Sequence, residues 1–280
     1  MKNIVTGILS SKPSRQILER LRRAPLIREG LKSLYDVHFA TASERKFRGV
    51  YATFDEAAKM APKTKPLGYD NPETATMFVE NYRIINPCDY PVLFWLKGAL
   101  AGASSLFDLG GNVGISFYSY QKYLTYPSNL SWIVYEVPDV AEQGRQIAAK
   151  EKADGLAFTT NLESADGVDI LLAAGSLQFI EQPLSEILRG LRDKPKHLII
   201  NKTPMRDGDQ FVTLQALGTA FCPYHIFNRT TFISSICATG YELIDSWDNA
   251  EVSCHIPLYP EHSVPAYSGL YFRRAVHKQN

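Results

Sequence analysis

Asp108, Gly110, Gly111, Asn112 and Gly114 fall within one short stretch, SSLFDLGGNVGISFYSY, from Ser104 to Tyr120. The apolar run Ser105-Leu106-Phe107 ends in the acid. A helix-like run of Ile115, Phe117, Tyr118 and Tyr120 follows the glycines. Where a strand turns sharply into a helix, glycine supplies φ values that a side chain resists, and it lets a ligand approach the backbone. The order of residues separates ligand classes. A dinucleotide fingerprint, G-x-G-x-x-G, leaves the helix N-terminus open to pyrophosphate. Here the spacing is Asp108-x-Gly110-x-Asn112-x-Gly114, and the leading carboxylate repels pyrophosphate. It suits a ligand that carries an ammonium group. Asn112 is compatible with the loop because asparagine tolerates left-handed geometry better than most residues.

These residues need a scaffold, and the pattern of apolar runs supplies one. From residue 104 onward, short strands alternate with helices. Strands are expected at 106–109, 132–135, 156–159, 169–173 and 197–200, with helices at 114–124, 140–151 and 184–191. Apolar runs this short, separated by helices, predict a parallel sheet buried on both faces. Right-handed crossovers then place a ligand at the C-terminal strand ends. After a helix from Arg229 to Ala238, two consecutive strands, 241–247 and 267–273, predict an antiparallel pair. Residues 1–100 read as a helical N-terminal extension, or lid, broken by prolines. A capping signal at Thr53-Phe54-Asp55-Glu56 starts one helix, and another spans 90–100. Residues 101–280 form the ligand-binding domain.

Composition narrows the classes. The 280 residues are 45% hydrophobic and 21% charged, with a formal net charge of +1. That is an ordinary globular balance and gives no electrostatic case for nucleic acid. Cys88, Cys222, Cys237 and Cys254 are scattered without metal-ligand spacing, so no metal is expected. No apolar run approaches the ~20 residues of a membrane span. A cytoplasmic protein is the expectation. One local bias stands out. Lys2, Lys12, Arg15, Arg20, Arg22, Arg23, Arg28 and Lys32 interleave with leucines and isoleucines. Such a segment either docks as a helix with a solvated face or rests on an anionic membrane, and docking is the preferred reading.

The acid followed by G-x-G-x-G resembles the first motif of class I S-adenosylmethionine methyltransferases. It departs from that motif at Asn112, where the family has glycine. The closing antiparallel pair is a second, independent point of resemblance. Together they imply a Rossmann-like, seven-stranded α/β sheet and S-adenosylmethionine as cofactor. In that family the acid ending the second strand binds the ribose hydroxyls, which is the place of Glu136. The loop after the third strand meets adenine, which implies Asn161 at the amine and Leu162 against the ring, although the usual acid is missing there. After the fourth strand, the carbonyls of Ala174 and Gly175 would receive the ammonium, and Gln178 a backbone or acceptor group. GSLQFI, DLGGNVG, YPVLFWL and PYHIFNR resemble a narrower family of bacterial methyltransferases, often associated with surface polysaccharide gene clusters. The implied activity is in-line methyl transfer to a small or saccharide-linked acceptor.

His225, flanked by aromatics and titrating in a useful range, is the candidate base. Asn201, Lys202, Tyr224, Arg229 and Arg206 are further acceptor-side candidates. Tyr51, Tyr69, Asp70 and the segment 256–262 are candidate lid contacts. A non-catalytic scaffold of the same fold is the alternative reading. An NAD-dependent oxidoreductase is less favoured because of the acid and the closing hairpin.

Overall fold

In the computed structural model the described residues are 25–77 and 82–275. The basic stretch from Lys2 to Arg23 lies outside them. The described chain enters through α1 (Pro25–Ala40), β1 (Lys46–Tyr51), α2 (Phe54–Lys59) and α3 (Pro72–Thr76). Thr53 caps α2 as its sequence signal requires, with the Glu56 amide donating to its hydroxyl at 3.1 Å. The helix α4 (Tyr90–Leu100) then leads into β2 (Ser105–Leu109).

Alternation follows. The next elements are α5 (Ile115–Tyr120), β3 (Ser131–Tyr135), α6 (Pro138–Glu151), β4 (Leu156–Thr159), β5 (Ile170–Ala174), α7 (Leu184–Gly190) and β6 (His197–Thr203). Later come α8 (Arg229–Cys237), β10 (Tyr241–Asn249) and β11 (Tyr267–Arg274). Seven strands form one sheet in the order β10-β11-β6-β5-β2-β3-β4. The five from β2 to β6 are parallel, and β11 runs antiparallel between β6 and β10.

Successive residues point to opposite faces, and both faces are covered. Leu106, Trp132, Ile170, Leu172 and Ile199 meet Leu96, Phe117 and Val140 on one side. Phe107, Leu109, Leu171, Leu198 and Ile200 meet Leu184, Leu188, Phe232 and Ile236 on the other. Each such side chain contributes roughly 1.5–3 kcal/mol by leaving water. Double burial is why these strands read as unbroken apolar runs rather than alternating ones.

A second sheet departs from what the sequence led us to expect. Its strands are β1, β7 (Met205–Arg206), β8 (Phe211–Ala216) and β9 (Phe221–Asn228), in the order β1-β8-β9-β7. The first hundred residues are therefore not purely helical. They give a strand that pairs antiparallel with β8, Lys46 opposite Ala216. Residue 100 is a boundary in sequence pattern, and it is not a break in packing. Two features conceal this sheet. The β1 pairing spans most of the chain, so no local periodicity reports it. Pro223 also sits inside β9, where a proline ordinarily argues against a strand.

Candidate functional site

The glycine loop leaves β2 at its C-terminal end. Gly110 has φ +70° and donates its amide to the Tyr135 carbonyl at 2.9 Å. A Cβ at Gly110 would run into the Ser176 side chain. A Cβ at Gly111 would sit 2.5 Å from the Asp108 carboxyl carbon. These two positions are glycine because their surroundings leave no room for a side chain. Asn112 adopts φ 57°, and its side-chain oxygen accepts from the Val113 amide at 2.8 Å. The residue can stand where the motif usually has glycine because it is in the left-handed region and bonds its own turn.

Two acids lie behind this loop. Asp108 is fully buried, and Trp132 Nε1 donates to its Oδ2 at 3.2 Å. Its Oδ1 has no partner among the described residues. Burial pushes the Asp108 carboxyl up to about 7, with the Trp132 bond pulling down and the Glu136 charge pushing further up. Glu136 follows β3. Its two oxygens accept from the Asn112 and Val137 amides, each at 3.0 Å. Burial raises it too, to about 7, against the pull of those two bonds. A carboxylate oxygen can accept more than one hydrogen bond, so Glu136 keeps capacity for ligand hydroxyls.

A cavity of about 580 Å³ opens at the C-terminal ends of β2, β5 and β6, beneath the second sheet. This is the expected position for an open α/β sheet, and the volume is that of a ligand pocket. Gly110, Gly111, Asn112, Ala174, Gly175 and Gln178 line the floor. Gln178 Nε2 donates to the Gly175 carbonyl at 2.7 Å, which leaves its buried Oε1 without a partner. Lys202, at φ 51°, forms an ion pair with Asp89 at 2.9 Å. Asp89 also accepts from the Asn86 amide at 3.1 Å and from Tyr120 at 3.4 Å. The roof brings Arg45, Gln215, Tyr224 and Tyr267. The phenols of Tyr224 and Tyr267 meet at 2.8 Å.

Several expected residues are elsewhere. Asp108 does not line the cavity. It stands behind Gly111, so its charge reaches a ligand only through the loop. Gly114, at φ +92°, starts α5, with Leu156 and Tyr118 nearest the place of its missing Cβ. Asn161 caps a short 3-10 turn by accepting from the Glu163 amide at 3.0 Å, and Leu162 packs into the core under the main sheet. Neither is among the cavity's lining residues, and Glu136 too stands behind the loop rather than on the cavity wall.

His225 requires a correction. In β9 it alternates with Tyr224, so it points to the opposite face, where the Phe54 ring lies 4.4 Å away. Burial pushes its imidazole down to about 4. It is a packed side chain on the far face of β9 and is not among the residues that line the cavity. Asn201 is a buried hub that donates to the Cys88 carbonyl and accepts from Trp247 and Asn249. Arg229 pairs with Asp248 at 3.0 Å, and Arg206 donates to the Glu261 carbonyl. Tyr69 does line the cavity and accepts from Asn112 Nδ2 at 3.3 Å, whereas Asp70 caps α6 through the Asp139 amide.

Sequence reasoning passed over Asp89, Arg45, Gln215 and Tyr267. Asn86-Pro-Cys-Asp89 does carry a capping-box pattern that would have singled out the acid. Arg45 and Gln215 carry no such signal, because only the pairing of β1 with β8 brings them together.

The order of the main sheet decides the fold: five parallel strands, then an antiparallel strand inserted beside the last of them. It is the seven-stranded, mostly parallel sheet with a closing antiparallel pair that the sequence predicts. No family model matches the chain, and no curated protein matches it. Among solved structures it is similar to the 1,6-didemethyltoxoflavin-N1-methyltransferase of Burkholderia thailandensis, at 16% identity and a TM-score of 0.46. That match covers 77% of this chain and 95% of the other. It is also similar to an S-adenosylmethionine-dependent methyltransferase of Mesorhizobium loti, at 13% and 0.46, covering 68% and 99%. The mitomycin 7-O-methyltransferase matches at 17% and 0.45, covering 97% and 75%. Likeness at this level does not bear on what this chain binds.

Proposed function

We propose that this chain is an S-adenosylmethionine-dependent methyltransferase acting on a small or saccharide-linked acceptor. The observation that carries the reading is the glycine loop at the floor of the cavity, held from behind by Glu136. Gly110 and Gly111 present bare backbone to the cavity, and Ser176 and Asp108 behind them leave no room for side chains. Glu136 fixes the loop through the Asn112 amide and retains lone pairs for two vicinal hydroxyls. The unpartnered Oε1 of Gln178, beside the Ala174 and Gly175 carbonyls, suits an ammonium group. These residues fit S-adenosylmethionine. When bound, it supplies an electrophilic methyl on a sulfonium, open to in-line displacement.

The remaining work falls to the chain itself. The second sheet roofs the cavity with the buried side chains of Gln215 and Tyr224. Lys202, held by Asp89, can donate a hydrogen bond that orients an acceptor oxygen toward the methyl. Tyr224 and Tyr267, with burial raising both phenols, remain protonated hydrogen-bonding groups.

Calorimetry with S-adenosylhomocysteine tests the cofactor assignment. Wild type should bind, and Glu136→Ala should bind at least 100-fold more weakly. A folded wild type that gives no heat sinks the reading. Lys202→Met should keep that affinity while turnover with S-adenosylmethionine falls about 100-fold.

A further inference from the structure

The roof of the cavity has a chemistry that the cofactor does not use. Arg45 lines it and has no carboxylate partner among the described residues. Its charge reaches the buried phenols of Tyr224 and Tyr267. Lys202 brings a second positive charge, but Asp89 pairs with it. Arg45 is thus the uncompensated charge on this side of the chamber.

Gln215 is the second observation. It lies on β8 on the cavity face, opposite Cys222 and next to the Tyr224 row. It is 1% exposed, and its Oε1 has no hydrogen-bond donor. A buried amide oxygen without a donor is costly, so a ligand donor there is favoured.

We propose that the acceptor is a small hydroxylated anion, a carboxylate or a phosphate, whose charged group pairs with Arg45 and whose hydroxyl donates to Gln215. This rests on the methyltransferase reading for the word acceptor, while the binding site itself does not. Guanidinium recognises either anion through paired N–H donors, and the Tyr224–Tyr267 pair supplies further hydroxyls for a polar ligand.

The test is binding, read without turnover. Glucuronate, glucose 6-phosphate, glucose and sulfate are titrated into the full chain by calorimetry, with and without saturating S-adenosylhomocysteine. Glucuronate or glucose 6-phosphate should bind, at least tenfold more tightly than glucose. Arg45→Gln, a change at an exposed residue, should remove that preference. Gln215→Leu should weaken the hydroxylated anion and leave sulfate unchanged. Binding of one anion alone names its class. If neither anion binds better than glucose, or if Arg45→Gln leaves the preference intact, the proposal is wrong. If the anions bind but S-adenosylhomocysteine does not, the methyltransferase reading fails and this one stands.

Discussion

The two sheets of this molecule are built by different rules. In the main sheet, neighbouring parallel strands join through crossover helices, and both faces are buried. The second sheet joins β1 to β8 across more than half the chain, with β8 and β9 as a hairpin closed at Leu217 and Ala220. The first holds the floor of the cavity, with the glycines and, behind them, Glu136. The second holds the roof, with Arg45, Gln215 and Tyr224. The contrast separates a cofactor-type floor, set by local chain geometry, from an acceptor-type roof, set by long-range pairing.

The contrast can be broken at either sheet. The largest effect is expected from Gly110→Val. At φ +70° and against Ser176, the new side chain should abolish S-adenosylhomocysteine binding in calorimetry, while far-UV circular dichroism still shows a folded chain. Retained affinity would show that the loop does not form the floor of the site. Next comes Phe221→Ala. Its ring stacks on Phe39 at 5.3 Å on the outer side of the second sheet. Its removal should cost about 3–5 kcal/mol in urea unfolding. Turnover should suffer more than cofactor affinity, and equal losses in both would merge the two regions into one.

A third effect is graded by pH. Asp108 and Glu136 are raised to about 7 in the folded chain, above ordinary values of about 4. Between those limits the folded chain holds protons that the unfolded chain has released. Their contribution is fully present below about pH 4 and is lost as pH rises through 7. Urea midpoints of the ligand-free protein should therefore fall across that window, and Glu136→Gln should flatten the slope. An unchanged slope in that variant would show that Glu136 is not held protonated by burial. The smallest effect is expected from His225→Phe, within about 1 kcal/mol of wild type and with unchanged turnover. A large loss of turnover would restore His225 to the chemistry.

The same contrast explains what the sequence could reveal. Strands such as Leu106–Leu109 and Trp132–Tyr135 were legible because double burial writes an apolar run and a following helix marks its end. Thr53 and Glu56 announced α2 because capping is local. Arg45 and Gln215 were illegible because their meeting depends on strands far apart in the chain. His225 misled for a related reason: its aromatic neighbours belong to a strand whose alternation faces it away from the cavity. Asp108 was read as a ligand contact, but its place behind Gly111 is fixed by tertiary packing.

Lys202 stands where the two sheets join. The strand that ends β6 at Thr203 passes through Pro204 and continues as β7 beside Phe227 and Asn228. Thus a single run of backbone serves both layers, and its bend at residue 202 has φ 51°. The Lys202–Asp89 ion pair therefore sits on backbone that both layers share. The positive charge in the chamber is thereby anchored to floor and roof at once.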